Sequence, residues 1–127
     1  MAEAIEANYA RGQLRAINQA LSEGRFVSVR KQLHEMPPSD VALILESSPT
    51  KTRDDLWELL DSDFHGDVIE ELSEEVRNGI IAKMMPAKVV DALEDMDTDD
   101  LAETLSSLPE EVLQDVLQSM DAQDRHR

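Results

Sequence analysis

Apolar and polar residues follow one another along this chain with the spacing of short amphipathic helices. From Pro38 onward a pattern recurs about every 10–13 residues, a length of roughly three helical turns. Each unit begins with a proline, a serine or threonine, or an acid, and then carries a few aliphatic residues. Because proline and acids suit the first turn of a helix, these starts predict helix N-termini. The predicted starts lie near Pro38, Lys51, Phe64, Ser73, Pro86, Thr98 and Pro109.

Two longer helices are predicted before these units, over residues 2–21 and 26–36. Gly24 suits the end of the first helix, and Pro37 with Pro38 stops the second. No alternating run of β-branched residues predicts a strand. We therefore predict one all-α domain over residues 1–127, with N-terminal helices over about 1–30, short-helix repeats over 33–120 and a tail over 121–127. Helices this short need neighbours, so they should stack into a superhelix of either hand.

The net charge of -16 is concentrated in the later part of the chain. Residues 1–53 hold six acids and seven bases, whereas residues 54–124 hold 22 acids and three bases. Such a surface repels nucleic acid and anionic lipid, and it attracts cations or a basic protein surface. The sequence has no cysteine and no apolar stretch of about 20 residues, so we expect a soluble, cytoplasmic chain without direct membrane insertion.

Enzyme motifs are missing from the sequence. His34, His65 and His126 are far apart and have no motif around them. The serines lack a nucleophile-elbow context, and there is no glycine-rich phosphate loop. The sequence thus predicts a protein that binds rather than catalyses.

Paired carboxylates are the strongest candidates for binding chemistry. Asp99 and Glu103 are four residues apart on one predicted helix and so share a face, and Asp91 and Asp95 repeat that spacing one helix earlier. Hard oxygen ligands of this kind suit magnesium or calcium, and magnesium usually keeps several waters and takes only one or two carboxylates. The same spacing also fits a solvated helix face, and spacing alone leaves both interpretations open.

The stretch ALEDMDTDDLAETL, Ala92 to Leu105, has HGDVIEELSEE before it and LPEEVLQDVL after it. This succession resembles the N-terminal cytosolic domain of MgtE-type magnesium transporters, and Ala92 to Leu105 is its most specific piece. The resemblance covers about residues 64–105 without an apparent gap, and it is weaker back to Leu33. It implies a right-handed superhelix that is followed by CBS domains and a dimeric membrane channel, on the cytoplasmic side of the cell membrane.

The resemblance also implies a regulatory magnesium site between this domain and a CBS domain, occupied when the pore is closed. The family's carboxylates correspond here to Asp67, Asp99 and Glu103. Asp67 replaces a family-type glutamate and Glu103 an aspartate, so the charge is kept while the reach of each side chain changes by one methylene. Two side-chain ligands on one exposed helix would bind Mg²⁺ only weakly in the isolated domain.

A helical-repeat interaction module without metal sensing is the alternative function. The helical fold of flagellar motor switch proteins is one such module, but the Glu-His-Pro-Gln motif expected there is absent. A metal-dependent hydrolase is the least favoured interpretation, because no histidine joins the carboxylates.

Overall fold

The computed structural model describes residues 2–125, which form nine α-helices and one short 3-10 turn. No strand occurs in that part of the chain, which confirms the all-α prediction. The helices are α1 (Ala2–Ser22), α2 (Phe26–His34), α3 (Pro38–Ser47), α4 (Thr50–Leu59), α5 (His65–Glu71), α6 (Glu74–Lys83), α7 (Pro86–Leu93), α8 (Thr98–Ser107) and α9 (Glu110–Arg125), with the 3-10 turn over Ser62–Phe64 before α5.

Local chemistry explains where the helices begin and end. Pro38 and Pro86 occupy the first turns of α3 and α7, where a missing N–H costs nothing. The chain leaves α1 through Gly24, whose φ of 73° lies in the left-handed region that glycine adopts without strain. The Gly24 amide then donates to the Leu21 carbonyl at 3.0 Å, which satisfies one of the free carbonyls at the helix end.

The chain divides into two compact units, Met1–Phe64 and His65–Arg127. In the first unit, α1 packs against α2 and α3, and α4 packs against α2 and α3. Aliphatic side chains and one tryptophan fill the interior between them. The buried set includes Ile17, Val29, Leu33, Val41, Ile44, Leu45, Leu56, Trp57 and Leu60.

One histidine of the first unit has a structural role. His34 Nε2 accepts a hydrogen bond from the Asp61 backbone N–H at 2.9 Å, and its ring lies 4.8 Å from the Phe64 ring, centroid to centroid. These contacts hold the segment that follows α4. His34 therefore contributes to the packing of the first unit.

The second unit is built on two helix pairs, α5 with α7 and α7 with α9, while α6 contacts α8. Its buried apolar residues are Val68, Ile69, Leu72, Ile80, Ile81, Val89, Leu93, Leu108 and Val116. Seventeen acids and five bases lie in this unit, so most of the negative charge surrounds this small apolar core.

The structure leaves two sequence predictions about the overall architecture untested. The single domain over 1–127 and the right-handed superhelix remain predictions, since each unit is defined by its own contacts. Helix α9 continues to Arg125, so residues 121–125 are helical where the sequence pattern predicted the start of a tail. His126 lies outside the described residues.

Candidate metal site

The three predicted ligands lie on two helices of the second unit, and all three are exposed. Asp67 is in the first turn of α5 and Asp99 is in the first turn of α8. Glu103 follows Asp99 by one helical turn on α8, so these two carboxylates share a face, as their spacing predicted.

A glycine brings the start of α5 close to the end of α7. A Cβ atom built on Gly66 would lie only 2.5 Å from the Ala92 carbonyl oxygen, and no side chain fits in that space. The residue after Gly66 is Asp67, and the chain after Ala92 leads to the acidic start of α8. The absence of a side chain at Gly66 therefore lets the acids of α5 approach those at the beginning of α8.

Glu70 lies at the centre of this acidic corner, and the sequence reasoning missed it. Although the residue is exposed overall, partial burial of its carboxyl raises the pKa of Glu70 above its ordinary value. Neighbouring negative charges raise the pKa further, since they disfavour a second ionised carboxyl. Those charges belong to Asp67, Asp100, Asp97 and Glu71. We call Asp67, Glu70, Asp97 and Asp100 the acidic corner.

Polar contacts hold α8 in place next to this corner. The buried Thr104 hydroxyl donates to the Met96 sulfur at 3.7 Å and so joins α8 to the loop before it. At the last residue of α8, the Arg77 guanidinium donates to the Ser107 hydroxyl at 2.8 Å, and the Asn78 amide donates to the Ser107 carbonyl at 3.0 Å. The C-terminal half of α8 is thus held by side chains outside the acidic corner.

The arrangement has the right donor chemistry for magnesium but not a complete site. Carboxylate oxygens are the ligands that Mg²⁺ takes from proteins. Among the residues that the structure describes, however, no group of three or more acidic, histidine or cysteine side chains converges to hold a metal ion. The structure therefore does not bring Asp67, Asp99 and Glu103 together as one ligand set.

Several of these acids lie at helix N-termini, where their negative charge stabilises the helix. Asp67, Asp99 and Asp100 lie in first turns, where the positive end of the helix dipole favours negative charge. The same holds for Glu110 and Glu111 at the start of α9. Some of the acidity therefore stabilises helices independently of any ligand.

Replacing Glu70 with glutamine should stabilise the domain at neutral pH. The folded state disfavours the ionised carboxyl, so the wild type loses unfolding free energy as the pH rises from the ordinary pKa of 4.5 through the raised pKa of the folded state. Glutamine removes this loss. Because Glu70 is largely exposed, solvent screening limits the gain to about 0.5 kcal/mol. Urea unfolding across pH 4 to 8 would measure it.

Glu111→Gln is the control for this experiment. Glu111 lies in the first turn of α9, where a negative charge is favourable, so its neutralisation should be neutral or slightly destabilising. Equal gains from both variants would mean that general charge repulsion, and not the acidic corner, is responsible.

Comparison with known proteins assigns the chain to a family. The sequence profile of the family described as MgtE intracellular N domain matches residues 36–127. The chain is also 33% identical over 102 residues, or 80% of its length, to the protein named Magnesium transporter MgtE from Bacillus subtilis (strain 168). No solved structure matches significantly.

The chain therefore belongs to the MgtE intracellular N-domain family, which confirms the resemblance found in the sequence. It spans only 23% of the Bacillus subtilis transporter, about a quarter of that protein. The family is that of a transporter domain and not an enzyme family, in agreement with the predicted binding function. None of the helices described in residues 2–125 combines the length and the apolar character needed to cross a membrane.

Proposed function

We propose that the chain is a cytosolic magnesium-sensing regulatory domain of a magnesium transporter. Its membership of the MgtE intracellular N-domain family is the observation that carries this proposal. The exposed carboxylates of the second unit support it, because Asp67, Asp99 and Glu103 supply oxygen ligands of the type that Mg²⁺ prefers. In this proposal the domain acts on the cytoplasmic side of the membrane, within a homodimeric parent that also contains CBS and transmembrane domains.

Electrostatic repulsion is the physical basis of the proposed regulation. Two acidic surfaces that approach each other raise each other's energy. Within this chain, partial burial and then the neighbouring negative charges raise the pKa of Glu70. A divalent cation between the surfaces offsets that repulsion. High magnesium would thus favour the compact arrangement in which the pore is closed, and low magnesium would release it, as a shift in population.

The proposed site is shared with the following CBS domain. Asp99 and Glu103 offer at most two side-chain ligands from one exposed helix face, and water would fill the rest of an octahedral shell. Such binding falls in the millimolar range, about -4 kcal/mol. Carboxylates of a second domain would complete the shell and exclude some of the water, which strengthens the attraction.

Magnesium should raise the melting temperature of the isolated domain more than sodium does at equal ionic strength. At about tenfold excess over a millimolar dissociation constant, binding adds about 1.4 kcal/mol of stability, or a shift of a few degrees. Asp99→Asn with Glu103→Gln should remove most of the magnesium-specific part of the shift. Scanning calorimetry in MgCl₂ and in matched NaCl measures both effects.

Glu111→Gln with Asp115→Asn is the matched control, since these exposed acids have the same spacing on α9 and the same charge change. It should leave the magnesium-specific shift in place. Equal shifts in both salts would reduce the effect to general screening. Micromolar binding by the isolated domain would contradict the shared site.

An interaction module without metal sensing is the second candidate. It is favoured by one observation, that no group of three potential ligands converges among the described residues. This function predicts equal shifts from the two salts, together with binding of the acidic unit to the rest of the parent protein when magnesium is absent.

A further inference from the structure

A small cleft opens in the second unit between α7, α8 and α9. Apolar side chains supply most of its lining, among them Leu93, Leu101 and Met120, and its volume is about 190 Å³. An apolar protein cavity of about 150 Å³ accepts a benzene molecule, so this cleft has room for one aromatic ring. Glu94 and Asp124 line it as well. We call it the acidic cleft.

A basic surface with exposed apolar side chains lies at the turn between α1 and α2 in the first unit. Phe26 and Val27 begin α2 with 53% and 86% of their surfaces exposed, although both are large apolar residues. Arg25, Arg30 and Lys31 are also exposed around them. Arg25 and Arg30 form ion pairs with Glu23 and Asp61, yet more than half of each arginine side chain remains in contact with solvent. We call residues 25–31 the basic tip.

We propose that the basic tip of one copy docks in the acidic cleft of a second copy, with the Phe26 ring in the apolar part of the cleft. Three properties match. The cleft is apolar and of ring size, the tip exposes a phenylalanine, and the bases around that ring are opposite in sign to Glu94 and Asp124. Docking would remove Phe26 from water and would bring opposite charges together.

The net charge of -16 weakens the attraction of this chain to anionic membranes and to nucleic acid, and it also opposes the approach of a second copy. The proposed contact therefore depends on a local match. The exposed bases of the basic tip would face Glu94 and Asp124 at the acidic cleft, and the cleft offers an apolar site for the ring.

The proposed contact is heterologous and weak. Tip and cleft are different surfaces, so one copy contributes its α1–α2 turn while the other contributes α7, α8 and α9. A single aromatic ring and a few rim charges bury far less area than a stable dimer interface. Association should therefore appear only at high micromolar to millimolar protein concentration.

A mixing experiment tests this contact directly. Isotope-labelled Phe26→Ala protein keeps the cleft but lacks the ring. Adding unlabelled wild-type protein should shift the methyl signals of Leu93, Leu101 and Met120, as followed by NMR at up to millimolar concentration. Adding unlabelled Phe26→Ala protein should give binding at least tenfold weaker, because buried aromatic anchors dominate small interfaces.

Tyr9→Ala is the matched control, since Tyr9 is 52% exposed and lies outside the basic tip. Unlabelled Tyr9→Ala protein should shift the cleft signals as wild type does. A second pair tests the charges: Asp124→Lys in the labelled protein should weaken binding, whereas Asp121→Lys, which does not line the cleft, should change it little.

Two outcomes would overturn the proposal. Equal shifts from unlabelled wild type and Phe26→Ala would exclude Phe26 as the occupant. Absence of shifts at millimolar wild-type protein, or shifts confined to residues away from the cleft, would show that the acidic cleft does not bind a second copy and would leave a different partner to be sought for it.

Discussion

Replacing Gly66 with alanine should lower the free energy of unfolding by about 1–3 kcal/mol, the usual cost of overpacking. The new methyl group would lie 2.5 Å from the Ala92 carbonyl oxygen, far inside van der Waals contact. A backbone oxygen at the end of a helix cannot rotate away as a flexible side chain can, so α5 and α7 must move apart. That movement would disturb the contact between Val68 or Ile69 and the rest of the core.

Gly79→Ala is the control with the opposite expected sign. Gly79 lies inside α6, and no atom outside its own helix backbone lies within 4 Å of a Cβ built on it. Alanine there should raise the free energy of unfolding by about 0.5–1 kcal/mol, because it reduces the freedom of the unfolded chain. Urea unfolding followed by far-UV circular dichroism measures both variants. Stabilisation by Gly66→Ala would show that α5 does not pack against α7 as closely as described.

The helices were largely predictable because their starting residues are chemically explicit. Prolines mark α3 and α7, and Thr98 begins α8, as predicted. These residues act through the backbone of the first turn, so their effect is local and visible in the sequence. The predicted end of α2 was less accurate. The helix ends at His34 rather than at Met36, because the chain is already turning toward Pro37 and Pro38.

The predicted metal ligands and the acidic corner were only partly predictable. The spacing of Asp99 and Glu103 placed them correctly on one face of α8, since helix periodicity is local. The role of Gly66 depends on a backbone oxygen 26 residues later in the chain, and no local pattern indicates that contact. Glu70 was missed for the same reason, although its position three residues after Asp67 would have placed both acids on one face of α5.

Charge distribution connects the fold with the proposed function. The seventeen acids of the second unit oppose its compaction by mutual repulsion. Helix dipoles offset part of that repulsion at the N-termini of α5, α8 and α9. In the proposed function, the remaining repulsion would make the unit sensitive to cations. A surface whose acids were all paired internally would respond much less to magnesium.

The largest functional effect is expected from neutralising two carboxylates in the intact parent protein. Asp99→Asn with Glu103→Gln should leave the pore open at magnesium concentrations that close the wild type. In the proposed mechanism the cation joins two acidic domains, and removal of two negative charges from one of them weakens that cation's preference for the compact state. Couplings of this kind are worth about 1–3 kcal/mol, so the half-closing magnesium concentration should rise at least about fivefold.

The matched variant Glu111→Gln with Asp115→Asn separates a local site from total charge. It removes the same charge at the same helical spacing on α9, and both residues are exposed. Patch recordings or ion-flux assays across a magnesium series would compare the two double variants with wild type. If the proposed residues act at a shared site, only the α8 variant loses closure. If both variants shift closure equally, regulation depends on overall acidity. Normal closure in the α8 variant would remove Asp99 and Glu103 from the sensor, because charges that no longer exist cannot hold the cation that closes the pore.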